Sequence, residues 1–414
     1  MIPAAQFPRF ARHRLIEALA DTPVVLIHGP RQCGKTTLAR TAGDAAGYAY
    51  VTFDDAVTLA AARADPTGFA TALPARAVLD EVQRVPELFR VIKLLVDRDR
   101  QPGRFILTGS ANVMFVPGLA DSLAGRMETI RLHPLAQAEI AQVSPRFLNR
   151  LLGAGFEIRR SDQLREELLD RVLNGGFPAA LARATARRRA AWHREYIDAI
   201  VQRDVRELAQ IRSLEALPHL LHAAAGQTAR LFDLATLVAP FQLSRPTIRD
   251  YAILLERLFL LDRLPPWHRN HLKRLVTTPK LHIGDTGLAS ALLGTTVRGL
   301  AEDRPLLGQL AETFVFQELR RLATAHEEPI DFYHLRDRDG LEVDVVLQSA
   351  GRVAGVDVKV SATVTPSDFR GLRSLSRAAG PAFVAGVVLY DGEVTAPFGE
   401  RLYAVPIRAL WEDG

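Results

Sequence analysis

Eight residues near the N-terminus, Gly29-Pro30-Arg31-Gln32-Cys33-Gly34-Lys35-Thr36, follow the spacing G-x-x-x-x-G-K-[ST]. The glycines let backbone N–H groups curl around a phosphate chain, the lysine brings positive charge to its terminal phosphates, and the adjoining hydroxyl suits a magnesium ion. The pattern needs a strand before it and a helix after it, and the apolar run VVLIH and the segment TTLAR stand in those places. The helix N-terminus then adds its own partial positive charge. The spacing therefore predicts an ATP site. Residues 29–36 and Thr37 cradle the phosphates, Lys35 reaches the β and γ groups, and Thr36 is a ligand of Mg.

Hydrolysis needs carboxylates opposite that loop. Ala77-Val78-Leu79-Asp80-Glu81 is an apolar strand ending in two of them. Asp80 is assigned to the magnesium and Glu81 to polarising the attacking water. A third apolar strand, Phe105-Ile106-Leu107-Thr108-Gly109-Ser110, ends in hydroxyls. Thr108 and Ser110 are candidates for sensing the γ-phosphate, although a Thr-Gly-Ser turn also needs no function.

A second group of candidates lies near the C-terminus: Glu312 in a helical stretch, Asp344 in LEVD, and Asp357-Val358-Lys359 in the next strand. Strand alternation puts Asp357 and Lys359 on one face, with Asp344 on a neighbouring strand. Two carboxylates, Asp344 and Asp357, would hold a second magnesium against a phosphodiester while Lys359 orients or deprotonates water. The order resembles the PD-(D/E)XK nucleases, a resemblance that implies a nuclease-like fold with or without cleavage.

Between these lies a candidate reader of DNA. LFDLATLVAP, the turn FQLS and a helix opening at Ser244 have the layout of a winged helix-turn-helix. Ser244 suits an N-cap, Pro246 is tolerated in a first turn, and Arg245, Thr247 and Arg249 stand where a recognition helix meets DNA. The bland reading is a packing module whose apolar face is simply core. Arg187, Arg188 and Arg189 read as a solvated helix face rather than a phosphate track.

The elements that must carry these residues follow from periodicity. Strand runs VVLIHG, YAYVTFDD, AVLDEV and RFILTGS alternate with helical TTLARTAGDAA and PELFRVIKLLVDRDR, the pattern of parallel strands with crossovers, so residues 1–135 form a doubly wound α/β domain. Helical periods dominate 136–225 and the winged-helix-like 226–300, with Gly175, Gly176 and Pro178 as a stop. Residues 301–414 return to α/β: a helix at GQLAETFVFQELRRLATAH, then strands IDFYHLR, LEVDVVLQ, VAGVDVKV and AFVAGVVLY.

Bulk properties fit a multidomain protein of 414 residues with 48% hydrophobic and 24% charged content. The single cysteine, Cys33, excludes an internal disulfide framework. The arginine-dotted N-terminus lacks the pattern of a signal peptide, and no run approaches the roughly 18 apolar residues of a membrane span, so a cytoplasmic protein is expected. A net charge of +5 is too mild to establish nucleic-acid binding.

The strings GPRQCGKTTL, AVLDEVQ, FILTGSAN and SLAGR, followed in order by GGFP, QRDV, RPTIRDY, LGQLAETFV, EVDVVL and GVDVKV, resemble the AAA+ family of bacterial and archaeal ATPases that carry a C-terminal domain of unknown function. The resemblance implies ATP hydrolysis and assembly into a homo-oligomer. It makes Arg126 of Ser122-Leu123-Ala124-Gly125-Arg126 a candidate phosphate contact, in cis or in trans, against the simpler reading of an arginine that pairs with Glu128 or caps a helix. Three functions follow: an ATP-driven protein acting on DNA, a nucleotide switch for a protein partner, and an ATPase using an inactive nuclease fold as scaffold.

Overall fold

The structure, a computed structural model, describes residues 7–110, 123–204, 216–232, 244–268, 278–336 and 340–412. It divides into two compact units. One holds Ala5–Leu135 with Arg257–Phe259, the other Ala136–Glu256 with Leu260–Gly414. The residues expected to form the middle and C-terminal domains thus share one unit.

The first unit is built on five parallel strands: β1 (Val24–His28), β2 (Ala49–Thr52), β3 (Ala77–Asp80), β4 (Phe105–Gly109) and β5 (Met127–Arg131), in the order β2-β3-β4-β1-β5. Four are the strands expected from the apolar runs; β5 is an addition. Alternate residues feed two cores, as parallel strands covered on both faces must. Val24, Leu26, Leu79, Phe105 and Leu107 face the helix Leu88–Arg98, and Val25, Ile27, Val78 and Ile106 face the helices Ala11–Asp21 and Lys35–Ala45. Covering both faces leaves the carboxyl edge of the sheet, where β1 ends at His28, as the place for a site.

The second unit holds a seven-stranded mixed sheet. Its strands are β6 (Arg159–Arg160), β10 (Asp331–Arg336), β11 (Glu342–Ser349), β12 (Arg352–Lys359), β13 (Phe383–Tyr390), β14 (Val394–Gly399) and β15 (Leu402–Pro406), in the order β10-β11-β12-β13-β15-β14-β6. The crossover helix Arg370–Ala379 packs Leu372 and Leu375 against Val343, Val353 and Val388. A small antiparallel sheet, β7 (Arg230–Leu231), β9 (Lys280–Ile283) and β8 (Leu261–Leu264), meets β10 where Trp267 N–H donates to the His334 carbonyl at 2.6 Å. The helices Glu166–Asn174, Ala186–Ala199, Arg245–Arg257 and Arg304–Ala323 correspond to the expected helical segments. The first helix of the expected helix-turn-helix and its turn fall on residues 233–243, outside the described residues.

Candidate nucleotide site and C-terminal acidic cluster

The loop after β1 adopts the backbone that phosphate binding requires. Gly29 has φ +154°, and a Cβ there would collide with the Leu132 carbonyl; Gly34 has φ +103° and caps the helix Lys35–Ala45 without any side-chain cap. The first N–H groups of that helix therefore stay open toward an anion. Arg9 braces the loop from outside, donating to the Cys33 and His133 carbonyls, each at 2.6 Å. Lys35 is buried, and its Nζ donates to the Gly29 and Pro30 carbonyls at 3.0 and 2.8 Å. A buried ammonium held only by neutral carbonyls lacks a counter-charge, which phosphate oxygens would provide.

The acidic strand end converges on this loop. Thr36 Oγ1 donates to Asp80 Oδ1 at 2.9 Å, Thr108 Oγ1 donates to the same oxygen, and the Tyr50 hydroxyl donates to Oδ2 at 2.8 Å. Burial, then the hydrogen bond to Asp80, pushes the Tyr50 phenol up to about 12, so it remains a donor. Glu81 follows with φ 58° in the left-handed region, its N–H donating to Thr108 Oγ1 at 3.2 Å. Gln83 Nε2 donates to Glu81 and, at 3.1 Å, to Ser110 Oγ, while its Oε1 is shielded from solvent and lacks a donor among the described residues. A buried acceptor beside a carboxylate suits an ordered water.

Thr108 thus anchors both carboxylate positions, and Ser110 reaches Glu81 through Gln83. Arg126 lies elsewhere. Its carbonyl accepts from Val24 N–H at the start of β1, the edge opposite the loop, and its Nε pairs with Asp97 Oδ1 at 2.5 Å rather than with Glu128. At that edge Arg126 does not meet phosphates held by its own loop. The arginine on the loop side is Arg131, level with His28 in the β1–β5 register. Burial, then the charges of Arg131 and Lys35, lowers His28 to about 4.

In the second unit the four acidic-cluster candidates converge, with a cation at their centre. Lys280 on β9 is 1% exposed. Its Nζ lies 2.7 Å from Glu312 Oε1, 3.0 Å from Glu342 Oε1 and 3.1 Å from Asp344 Oδ1. Asp344 Oδ2 accepts from Val358 N–H at 2.9 Å, Asp344 and Asp357 share a hydrogen bond, and Lys359 Nζ stands 3.6 Å from Asp357. Burial would raise the Asp344 carboxyl, but the Lys280 ammonium holds it below the usual carboxylate range. Burial and then the Asp344 charge push Glu312 and Asp357 well above that range. Lys280 and Glu312 therefore answer differently to one hydrogen bond: Asp344 is the charged partner, and Glu312 is drawn toward the neutral form. Among the described residues no set of three or more His, Cys, Asp or Glu side chains is arranged to hold a metal.

Comparison with known proteins places this geometry. The pattern of the AAA domain family matches residues 21–141, a domain of unknown function (DUF8612) matches 165–298, and another (DUF4143) matches 307–410. Two uncharacterised proteins, from Mycobacterium tuberculosis and Mycobacterium bovis, are each 33% identical over 407 residues, covering 98% of this chain and 85% of theirs. This chain belongs to the same family as these two proteins, and its residues 21–141 form an AAA domain. Among solved structures, a Walker-type ATPase of Pyrococcus abyssi is similar at 16% identity, covering 68% of this chain and 94% of that one with a TM-score of 0.42. The Thermotoga maritima RuvB Holliday junction branch migration motor is similar at 16% identity, covering 62% and 89%, with a TM-score of 0.29.

The AAA-domain family thus accounts for the first unit as an AAA-type P-loop ATPase domain. Arg245 and Arg249 are exposed and Thr247 half-buried on the helix Arg245–Arg257, with Ser244 Oγ accepting from Thr247 N–H at 3.3 Å. Sequence reasoning missed Arg9, Gln83, Lys280 and Glu342. Gln83 and Glu342 stand within two residues of candidates that were named, so a local search could have found them. Lys280 gave no local signal. Among the described residues no helix is long and apolar enough to cross a membrane.

Proposed function

We propose that this chain is an ATP-hydrolysing switch that contacts DNA through its middle region and carries a nuclease-like C-terminal fold held inactive by Lys280. Magnesium–ATP, when bound, supplies the scissile phosphoanhydride and a metal charge that stabilises the leaving and attacking oxygens. Lys35 exchanges the Gly29 and Pro30 carbonyls for phosphate oxygens. Thr36 and Asp80 would hold the metal, and Glu81, braced by Gln83 and through it by Ser110, would orient a water and take its proton. The uncapped helix behind Gly34, the counter-charge missing at Lys35 and the orphaned Gln83 Oε1 support this fit. Any phosphate contact by Arg126 belongs to a neighbouring copy in a homo-oligomer.

The DNA contact rests on Arg245 and Arg249, exposed at the start of their helix, and on an element order of helix Ala216–Gly226, β7, helix Arg245–Arg257, then the antiparallel pair β8 and β9, which suits a winged helix. The observation that carries the inactive-fold reading is the Lys280 ammonium among Glu312, Glu342 and Asp344, where a nuclease would need a divalent ion.

One experiment on the full chain tests the whole. ATP turnover is measured with and without duplex, branched and single-stranded DNA, and nicking is scored in the same tubes with Mg2+ or Mn2+. Expected are turnover abolished by Lys35→Ala, salt-sensitive DNA binding weakened by Arg245→Ala with Arg249→Ala, and no nicking. Nicking that disappears in Asp344→Ala would refute the inactive-fold reading. Salt-independent turnover untouched by any DNA would turn the proposal toward a protein partner.

A further inference from the structure

We propose that a cavity in the second unit, walled by the helices Ala186–Ala199 and Thr286–Leu293, binds a small phosphorylated ligand of about nucleotide size, independently of the phosphate loop. The cavity measures about 490 Å3, within the usual range of small-molecule sites, and its lining among the described residues holds Arg187, Arg189, Arg194 and Arg298 but no Asp or Glu. The run read from sequence as a solvated face is therefore only partly so. Arg187 and Arg194 lie seven residues apart, two helical turns, so they share the face of Ala190, which also lines the cavity.

Their charges are available. Neither Arg187 nor Arg194 has an ion-pair or hydrogen-bond partner for its side chain among the described residues. Arg298 pairs only with Glu302, in an exposed contact at 2.9 Å. Arg189 donates from Nη1 to the Arg183 carbonyl at 2.9 Å, while its Nε is shielded from solvent without an acceptor. Arg187 and Arg194, with Arg189 beside them and Arg298 at the exposed rim, focus a positive potential on the concavity that a phosphate, met by their forked donors, would relieve.

The walls select the shape of the ligand. Ala186, Ala190, Gly287, Ala291 and Gly294 are small, and Asn174 and Ser290 add polar atoms. The result is an apolar slot with a basic rim, suited to a flat or compact body carrying phosphate. The backbone of a long nucleic acid would use the rim and leave the slot empty. Gly287 lets the two walls pack closely, since a Cβ there would press on the His193 ring and the Asn174 carbonyl.

The test uses the full chain with Lys35→Ala, which removes binding at the phosphate loop, and titrates inorganic pyrophosphate, AMP and ADP by calorimetry. A saturable site is expected, weakened at least tenfold by Arg187→Gln with Arg194→Gln. Both side chains are exposed, so folding should survive, as circular dichroism would verify. Ala190→Leu fills the slot without changing charge and should weaken AMP and ADP more than pyrophosphate. Absence of any saturable binding, or binding indifferent to both variants, would overturn the proposal. So would an oligothymidylate that binds through these arginines when none of the small phosphates does.

Discussion

Replacing Lys280 by methionine keeps most of the length of the side chain, one atom short, and removes its charge. The ammonium lies 2.7, 3.0 and 3.1 Å from three carboxyl oxygens. At an effective dielectric near 20 the contacts to Glu342 and Asp344 attract by about 5–6 kcal/mol each, a gross total of about 11 kcal/mol, while Glu312, drawn toward its neutral form, adds a hydrogen bond. Desolvation of the lysine and repulsion among the carboxylates cancel most of it, and removing one partner from a buried ionic cluster costs about 3–5 kcal/mol. The net loss comes from Asp344 and its neighbours left without a cation.

All three tryptophans, Trp192, Trp267 and Trp411, lie in the second unit, so their fluorescence follows this unit through urea unfolding. Lys280→Met should lower that midpoint by roughly 1–2 M, from the expected energy and a urea slope of about 3 kcal/mol per M, the steep end that a unit of this size calls for. Millimolar Mn2+ should restore part of the loss in the variant and do nothing for the wild type, because an ion that binds only the folded form stabilises it. An unchanged midpoint would refute the pairing itself. A lowered midpoint indifferent to Mn2+ would refute the idea that the lysine stands where a metal could.

Glu81→Gln should keep ATP affinity within a few-fold and slow turnover by roughly 10²–10⁴, as loss of a proton acceptor does; unchanged turnover would remove Glu81 from the chemistry. Gly29→Ala drives a Cβ into the Leu132 carbonyl at a φ of +154°, so ATP affinity should fall far more than in Ala39→Gly, a helix change away from the loop. Acid should destabilise the second unit through its buried histidines. Burial, then the Lys280 charge, lowers His282 to about 3 and His334 to about 4 from 6.5. The unfolded chain takes up these protons first, so stability is full above pH 6.5 and is lost as pH falls toward 4, by up to about 3 kcal/mol for His334 at 1.4 kcal/mol per unit. His334→Gln should flatten the tryptophan-monitored slope in that window, and an unaltered slope would exclude His334.

What sequence made legible was what the chain encodes locally. The phosphate loop is eight contiguous residues with a strand and a helix on either side, and Asp80, Glu81 and Thr108 end runs whose apolar pattern marks buried strands. The fifth strand, METIR, escaped notice because an edge strand with only Ile130 buried has no apolar run to show. The helix Ala11–Asp21 hides for a related reason: its buried face is just Ala11, Leu15 and Ala18, set among charges. Lys280 stands 32 residues before Glu312 and 64 before Asp344 in a segment read as helical. Its meaning exists only once β9 has paired and brought it there. The Arg187–Arg189 run reads as a solvated face, and Arg187 and Arg188 are exposed; that Arg187 and Arg189 also line a cavity was not legible, because the facing helix Thr286–Leu293 lies about a hundred residues on.

The two acidic centres differ in one physical respect that divides the labour of the chain. Asp80 is held by neutral donors, the hydroxyls of Thr36, Thr108 and Tyr50, which orient the carboxylate and leave its charge for an incoming cation. Asp344 is held by an ammonium, and its neighbours Glu312 and Asp357 are pushed toward neutrality, so the charge a divalent ion would seek is already answered within the fold. A carboxylate oriented by dipoles recruits a metal, whereas one neutralised by a buried lysine excludes it. On the proposed reading, any magnesium chemistry belongs to the first unit. In the second unit the lysine on β9 ties the small sheet to the large one through Asp344 on β11, which gives these carboxylates a structural use whatever else they do.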